Sequence, residues 1–166
     1  SVEAPEHVVC RRYFMKPGYQ ACNPVTGALD IIKTNPAGHE DQIDRRESTV
    51  DPELQYIAVK GTDESWIGLL ANYSMHYVGD WENGVITADY FGVFDRALRE
   101  NLGAGPRFVG MMSNGTSGDA NIMHFMDLDR YPAGPFEKST LIGRDLADRV
   151  ARSTAQLEWE GDPFLA

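Results

Sequence analysis

The residues best able to do chemistry in this chain lie just past the ends of two apolar runs. The stretch 69–76 is apolar and ends at His76, and the run 107–112 leads into the glycine-rich acidic loop 113–121. Open α/β sheets place their binding sites beyond the ends of buried strands. We therefore expect a site where these two endings meet.

His76 is the first candidate. At a strand end, an imidazole can bind zinc through one ring nitrogen while the other nitrogen bonds an acceptor. The alternative is a core histidine that bonds the backbone. No His-x-Glu, His-x-x-x-His or Cys-x-x-Cys pattern surrounds His76, so the sequence does not show a complete metal site.

The loop Asn-Gly-Thr-Ser-Gly-Asp at 114–119 is the second candidate. Its glycines would let backbone N–H groups form a nest for an anion or oxyanion. The alternative is a tight turn with Asp119 as a cap. The loop is not a P-loop, because the Gly-Lys-Ser/Thr ending is missing. It is not a nucleophile elbow either, because Asp119 stands where that motif has its second glycine.

Two further groups of residues are candidate sites from their residue types. Ser117 could form a catalytic triad with His76 or His124 and with Asp89, although any domain of this size offers such triples. The Arg11-Arg12 pair could clamp a carboxylate or a polarised carbonyl, and its alternative is ordinary surface charge.

The elements that would position these residues form an α/β pattern. Residues 56–60 and 66–73 predict a β-hairpin, and the second run is apolar enough to be an interior strand. Thr87 and Asp89 are good N-caps for a helix. That helix is predicted from apolar residues at helical spacing, which are Tyr90, Val93, Phe94, Ala97 and Leu98.

The remaining elements complete the prediction. Residues 107–112 predict a strand, and strand–helix–strand order indicates a right-handed crossover. A last helix is capped by Ser139, with Ile142, Leu146, Val150 and Leu157 on one face. We predict a short strand at 7–13 and no regular elements over 15–53. The fold class is therefore α/β, a mixed β-sheet with helices packed on it, with residues 1–166 as a single domain or a fragment of a larger one.

Composition narrows the function classes. The 166 residues carry 15 basic and 25 acidic side chains, a formal charge of −10. This charge argues against a nucleic-acid partner and gives no support for binding an anionic membrane. No apolar run reaches the ~18 residues of a transmembrane segment.

The termini and the cysteines carry weaker signals. No signal peptide is visible, and the start at Ser1 suggests a processed or truncated chain. For Cys10 and Cys22 we expect two free buried thiols, although a disulfide is possible from the count.

Ordered blocks of the chain resemble the N-terminal catalytic domain of the neutral/alkaline, non-lysosomal ceramidase family. They cover about two thirds of the sequence, with spacing similar to the family's. The blocks are Cys-Arg-Arg at 10–12, Val-Asp-Pro-Glu-Leu at 50–54, Leu-Ala-Asn-Tyr-Ser-Met-His at 70–76, Ile-Thr-Ala-Asp-Tyr-Phe-Gly at 86–92, and the loop 114–119.

The resemblance implies a zinc enzyme that hydrolyses an N-acyl amide bond. It implies that His76 is a zinc ligand, that Arg11 or Arg12 lies near the polar group of the substrate, and that the Gly118-Asp119 turn lies beside the site. On this basis we predict Arg11 and Asp119 as catalytic residues and Gly118 and Tyr90 as substrate-binding residues. We predict Asp89 and Asn72 as outer supports of the metal ligand.

Two features depart from the family pattern. The family's other zinc ligands, an upstream His and a downstream Glu and Tyr, have no matching motif here. A second chain, or the missing remainder of the same precursor, would have to supply them. The family also has a Ser two residues after the Gly-Asp of the loop, where this chain has Asn121, which makes ceramide itself a doubtful substrate.

The leading interpretation is a zinc-dependent amide hydrolase that acts on a small-molecule or lipid-like N-acyl substrate. The first alternative is a carbohydrate- or protein-binding domain that keeps the fold and has lost the metal. The second is a serine hydrolase that uses Ser117. The resemblance suggests a secreted or periplasmic location.

Overall fold

The structure is a computed structural model that describes residues 1–23 and 25–161. Two α-helices, α1 (Asp89–Asn101) and α2 (Glu137–Thr154), are accompanied by 3-10 turns at Glu40–Gln42 and Leu128–Arg130. The strands are β1 (Val2–Glu3), β2 (Val9–Cys10), β3 (Arg12–Met15), β4 (Ala21–Cys22), β5 (Leu29–Asp30), β6 (Ile32–Thr34), β7 (Ile43–Arg46), β8 (Glu53–Lys60), β9 (Trp66–Tyr73), β10 (Val109–Asn114) and β11 (Ala120–Asn121).

The main sheet has the strand order β1-β8-β9-β10. The predicted hairpin is confirmed, because β8 and β9 are antiparallel and paired from Leu54↔Tyr73 to Lys60↔Trp66. Strand β10 runs parallel to β9, so β9 is the interior strand that its apolar sequence predicted. The sheet is therefore mixed, and the predicted α/β class is confirmed.

Both helices pack together on one face of this sheet. A helix is present where it was predicted, but α1 begins at Asp89 with Ala88 at the N-cap position rather than Thr87 or Asp89. The Thr87 hydroxyl accepts a hydrogen bond from the Asp89 N–H at 3.1 Å. The helices come close at Gly143, where an added Cβ would lie 2.6 Å from Cβ of Val93. The core between sheet and helices includes Leu54, Leu69, Ala71, Tyr73, Tyr90, Phe94, Leu98, Ile142, Leu146 and Val150.

The predicted start of the last helix was wrong. Helix α2 begins at Glu137, so Ser139 lies inside its first turn. The carboxylate of Asp80, distant in sequence, accepts the Ser139 N–H at 2.8 Å and takes over the capping role. Leu157, predicted on the buried face, lies beyond the end of the helix.

The other face of the main sheet is exposed and apolar. Alternate residues of three neighbouring strands point to it, because strand side chains change face with every residue. Leu70 pairs with Ile57 on one side and with Met111 on the other. The exposed apolar residues of this face are Ile57, Val59, Leu70, Val109 and Met111.

The prediction that residues 15–53 lack regular elements was also wrong. Short strands form a three-stranded sheet in the order β6-β3-β7 and a two-stranded sheet of β4 and β5. The predicted strand 7–13 divides into β2 and β3 at Arg11. Each of these strands has two to four residues, too few to show a periodicity. Strand β3 pairs with β6 and β7 further along the chain, and a second small core of Tyr13, Met15, Ile43 and Phe125 lies beside this sheet.

The cysteines match their prediction only in part. Both are free, but Cys22 is exposed, so the prediction of two buried thiols holds only for Cys10.

Within residues 1–23 and 25–161, neither helix is long and apolar enough to cross a membrane.

Candidate functional site

Three candidate residues from distant parts of the chain meet around the short strand β11. Ala120 of β11 pairs with Cys10, and the neighbouring Arg11 N–H donates to the Asp119 carbonyl at 2.9 Å. The His76 N–H donates to the Ala120 carbonyl at 3.1 Å. Arg11, His76 and Asp119 are therefore held together by backbone hydrogen bonds, although 43 or more residues separate each pair of segments in sequence.

The glycine-rich loop is fastened to the end of β9. The Gly115 N–H donates to the Tyr73 carbonyl at 3.0 Å, and the Thr116 N–H donates to the Ser74 hydroxyl at 3.2 Å. Glycine fits tightly at 115, because an added Cβ would lie 2.5 Å from the Ser74 hydroxyl oxygen and would force it to move. Asn72, predicted as a support, donates from its side chain to the Ser113 hydroxyl at 2.8 Å and so fixes the start of the loop.

These hydrogen bonds use the backbone N–H groups that we predicted to form an anion-binding nest. The N–H groups of Gly115, Thr116 and Ser117 all donate to acceptors of the protein itself. They are not free to bind an anion in this conformation. Gly118 is exposed and has nothing within 4 Å of an added Cβ, so it leaves space at the surface of the loop.

The His76 side chain has an unused ring nitrogen. Its Nδ1 is buried and has no hydrogen-bond partner among the described residues. The ring stacks on Tyr77 with centroids 4.8 Å apart. A buried polar atom without a partner is costly, and such atoms often belong to sites that bind a ligand or an ion.

Arg11 and Asp119 lie next to His76, but their side chains have different partners. The Nε atom of Arg11 is buried and unpartnered within the described ranges. The Asp119 carboxylate is largely exposed and lies 3.8 Å from Nη1 of Arg12, not of Arg11. Since the pair is exposed, it adds little stability and leaves Asp119 accessible.

Asp89 supports the segment that follows His76. Its carboxylate accepts the N–H of Val78 at 2.8 Å and of Gly79 at 3.2 Å, as well as the N–H of Tyr90. Burial raises the pKa of Asp89, and the backbone hydrogen bonds oppose that rise. Asp89 adopts φ 52°, a left-handed conformation that is unusual for an aspartate and is held by these contacts.

Two predictions that involved Asp89 and its neighbour do not fit this structure. The triad of Ser117, His76 or His124, and Asp89 is not formed, because the Asp89 carboxylate is bound by backbone N–H groups. Tyr90, predicted to bind substrate, is fully buried and donates its hydroxyl to the Met75 carbonyl at 3.3 Å. Its ring packs in the core beneath the site, so it does not face a substrate.

A second titratable cluster, which the sequence did not reveal, lies near the N-terminus. Glu6, His7 and Asp145 have potential metal-ligand atoms within 4.8 Å of one another. Both nitrogens of His7 are occupied, Nδ1 by the Tyr131 hydroxyl and Nε2 by the Asp145 carboxylate, each at 2.8 Å. No local pattern could have revealed this cluster, because 138 positions separate His7 from Asp145.

Arg149 makes this cluster a poor metal site. Its guanidinium bonds both carboxylates, Asp145 at 2.7 Å and also Glu6. Burial alone would raise the pKa of Asp145, but the hydrogen bonds from Arg149 and His7 outweigh it and hold the pKa below its usual value. With a cation already between the carboxylates, the donor set does not fit zinc.

The fit of zinc at His76 is partial. Its unpartnered ring nitrogen suits one coordination position, since neutral imidazole is a common zinc ligand. The three-residue group at Glu6 is the only such group among residues 1–23 and 25–161, and it does not include His76.

No protein-family model matches the chain, and no curated protein matches it. Among solved structures, it is similar to neutral ceramidase from Pseudomonas aeruginosa, with a TM-score of 0.46 and 15% identity. The match covers 90% of this chain and 22% of that one. A ceramidase structure described as complexed with C2 gives the same TM-score and coverage, at 14% identity. The chain thus spans about a fifth of the length of these proteins, and its function has to be argued from its own residues.

Proposed function

We propose that this chain forms part of a zinc-dependent hydrolase that cleaves an N-acyl amide bond, with His76 as one zinc ligand. The observation that carries the proposal is the buried, unpartnered Nδ1 of His76 beside β11, where Arg11 and Asp119 also meet. The blocks of sequence that resemble neutral ceramidases contain the same residues. A bound zinc would polarise the amide carbonyl and lower the pKa of its water to ~7.

The protein's own side chains would then bind and orient the substrate. Arg11 carries a permanent positive charge, and its backbone is fixed to Asp119 by a hydrogen bond of 2.9 Å. A preorganised cation of this kind stabilises negative charge that develops on a carbonyl oxygen. Asp119 is exposed at the same place and could orient the amide N–H as an acceptor.

Two residues would hold the site without touching the substrate. Asp89 fixes the backbone at Val78 and Gly79, two and three residues after His76. Asn72 fixes the beginning of the glycine-rich loop through Ser113. Gly118 would leave room for the substrate at the tip of that loop, since nothing lies within 4 Å of its missing side chain.

The missing zinc ligands form part of this proposal. A second chain, or another part of the same precursor, would complete the coordination. The substrate class is a small-molecule or lipid-like N-acyl compound.

The test is the zinc content of the full-length precursor, purified with any partner chain, and of its His76→Ala variant. His39→Ala is the matched control, because His39 is an exposed histidine in another part of the chain. We expect His76→Ala to lose zinc together with hydrolysis of a simple N-acyl amide, while the control keeps both. Unchanged zinc in His76→Ala would contradict the proposal.

The second candidate is a binding domain of the same fold that has no metal. The observation in its favour is that the three-residue group of potential metal ligands found in the described ranges does not include His76. Asn121 fits this reading as well, because its side-chain oxygen accepts the N–H groups of Ile122 and Met123 and serves the turn. Stoichiometric zinc in the purified protein would decide against this candidate.

A further inference from the structure

Three aromatic side chains extend from His76 across the surface, and we name Tyr77, Trp81 and Phe136 the aromatic ledge. Tyr77 stacks on His76, Tyr77 and Trp81 lie 6.5 Å apart between centroids, and Trp81 and Phe136 lie 6.2 Å apart. The planes of the last pair differ by 12°. Tyr77 is 56% exposed and Phe136 40%. Exposed aromatic groups in one place commonly mark a binding surface.

The backbone beneath the ledge is fixed at both ends. Asp89 accepts the N–H groups of Val78 and Gly79, next to Tyr77. The Phe136 N–H donates to the carbonyl of Asp80 at 2.9 Å, next to Trp81. The ledge is therefore tied to the first turns of both helices, so little conformational entropy would be lost when a ligand binds.

Phe136 holds an unfavourable conformation in this position. Its φ of 61° lies in the left-handed region, where a bulky residue is a genuine outlier. Such strain persists where the surrounding contacts hold it, and it is concentrated at functional sites. A glycine would meet the backbone requirement without strain, so the aromatic ring is the feature that phenylalanine adds at this position.

Polar atoms without partners lie at both ends of the ledge. Nδ1 of His76 is one, and Oδ1 of Asp80 is the other. The second oxygen of Asp80 is already used by the Ser139 N–H. Both atoms are buried next to the exposed rings, and buried polar atoms without partners often belong to sites that bind a ligand.

A pyranose ring has a flat C–H face and polar groups at its rim, whereas an alkyl chain does not. An open ledge covers only one side of a ligand, which leaves an alkyl chain half exposed to water but lets a sugar keep its outer hydroxyls hydrated. Two surface pockets lie away from the ledge, one lined by Trp66 and Phe108 and the other by Val2 and Arg149.

We propose that the aromatic ledge binds the pyranose ring of an N-acylated amino sugar and directs its amide towards His76. The inference rests on the proposed function, because it names the group that carries the amide. The ledge supplies stacking for the ring, with the unpartnered Oδ1 of Asp80 buried beside it.

The test is calorimetric titration with chitotriose, whose rings carry N-acetyl groups. N-octanoylglycine, an N-acyl compound without a sugar, is titrated in parallel. Trp81→Ala and Phe136→Gly remove one ring each, and the glycine relieves the strain at φ 61°. Trp159→Ala is the matched control, because this exposed tryptophan packs on Trp66 away from the ledge.

We expect chitotriose to bind and each ledge variant to weaken binding by about three- to tenfold, the usual value of an aromatic contact. Trp159→Ala should bind like the parent. Absence of chitotriose binding would overturn the inference, as would equal binding by parent and both ledge variants. Ledge-dependent binding of N-octanoylglycine in place of chitotriose would assign the ledge to an acyl chain and overturn the sugar assignment.

These experiments distinguish failure of the sugar-binding inference from failure of the proposed hydrolase function. Chitotriose binding that depends on the ledge, without zinc or hydrolysis, would support the sugar-binding inference and refute the proposed hydrolase function. Zinc-dependent hydrolysis of a simple N-acyl amide, without chitotriose binding, would support the proposed hydrolase function and refute the sugar-binding inference.

Discussion

His124 should make the protein lose stability in mild acid. The side chain is only 6% exposed, and its Nε2 has no partner in the part of the chain that the structure describes. Burial lowers the pKa of His124 to about 4, and the positive charges of Arg130 and Arg46 contribute to the shift. In the unfolded chain, the same group titrates near ~6.5.

The sign and the size of the pH effect on stability follow from the difference between the pKa of His124 in the folded protein and in the unfolded chain. Above about pH 7.5, His124 is neutral in both states and contributes nothing to the pH dependence. As the pH falls through about 6.5, the unfolded chain gains a proton that the folded protein does not accept until about pH 4. Between about pH 7.5 and 5, this linkage lowers the free energy of unfolding by about 2 kcal/mol.

The measurement is urea unfolding at several pH values for the parent, His124→Asn and His39→Asn. Asparagine does not titrate, and it keeps a hydrogen-bond donor for the Glu6 carbonyl that faces His124. We expect His124→Asn to lose about 2 kcal/mol less than the parent on acidification. His39→Asn, an exposed control, should follow the parent.

Comparing variants cancels the titration of other groups. Asp145, whose pKa is held low, gives stability that is present above its unfolded pKa and is lost only as the pH falls through its folded value. That loss lies at a lower pH than the one due to His124. Equal acid sensitivity of His124→Asn and the parent would refute the assignment of the effect to His124.

The remaining predictions concern glycines at close contacts. Gly115→Ala should lower the unfolding free energy by about 1–3 kcal/mol and reduce activity, because its Cβ would lie 2.5 Å from the Ser74 hydroxyl. Gly118→Ala, with nothing within 4 Å, should leave the unfolding free energy unchanged, and equal losses of stability in the two variants would contradict the loop geometry. Gly143→Ala should cost a similar ~1–3 kcal/mol in denaturant melts by forcing α1 and α2 apart at Val93, and an unchanged midpoint would disprove this close packing.

The sequence predicted the long elements well, because their side chains repeat with a regular period. The hairpin of β8 and β9 and the helix after Thr87 have enough residues to show alternation or helical spacing. The region 15–53 gave no such signal, because its strands are short and pair with distant partners. A strand of two to four residues is defined by its partner rather than by its own pattern.

The same distinction applies to the site. The sequence pointed to His76, Arg11 and Asp119 as chemically capable residues at or near strand ends. It could not show that the Asp89 carboxylate accepts hydrogen bonds from backbone N–H groups, or that Tyr90 faces the core. These outcomes depend on which way a side chain points and on what surrounds it.

The sequence by itself determined the α/β class, the interior strand and the identity of the candidate histidine, since periodicity and residue type are local properties. Only the tertiary structure decided that β11 joins Arg11, Asp119 and His76, and that Arg149 neutralises the acidic cluster near His7. Hydrogen bonds and ion pairs between distant segments form only when the chain folds, so no local pattern of residues shows which groups meet.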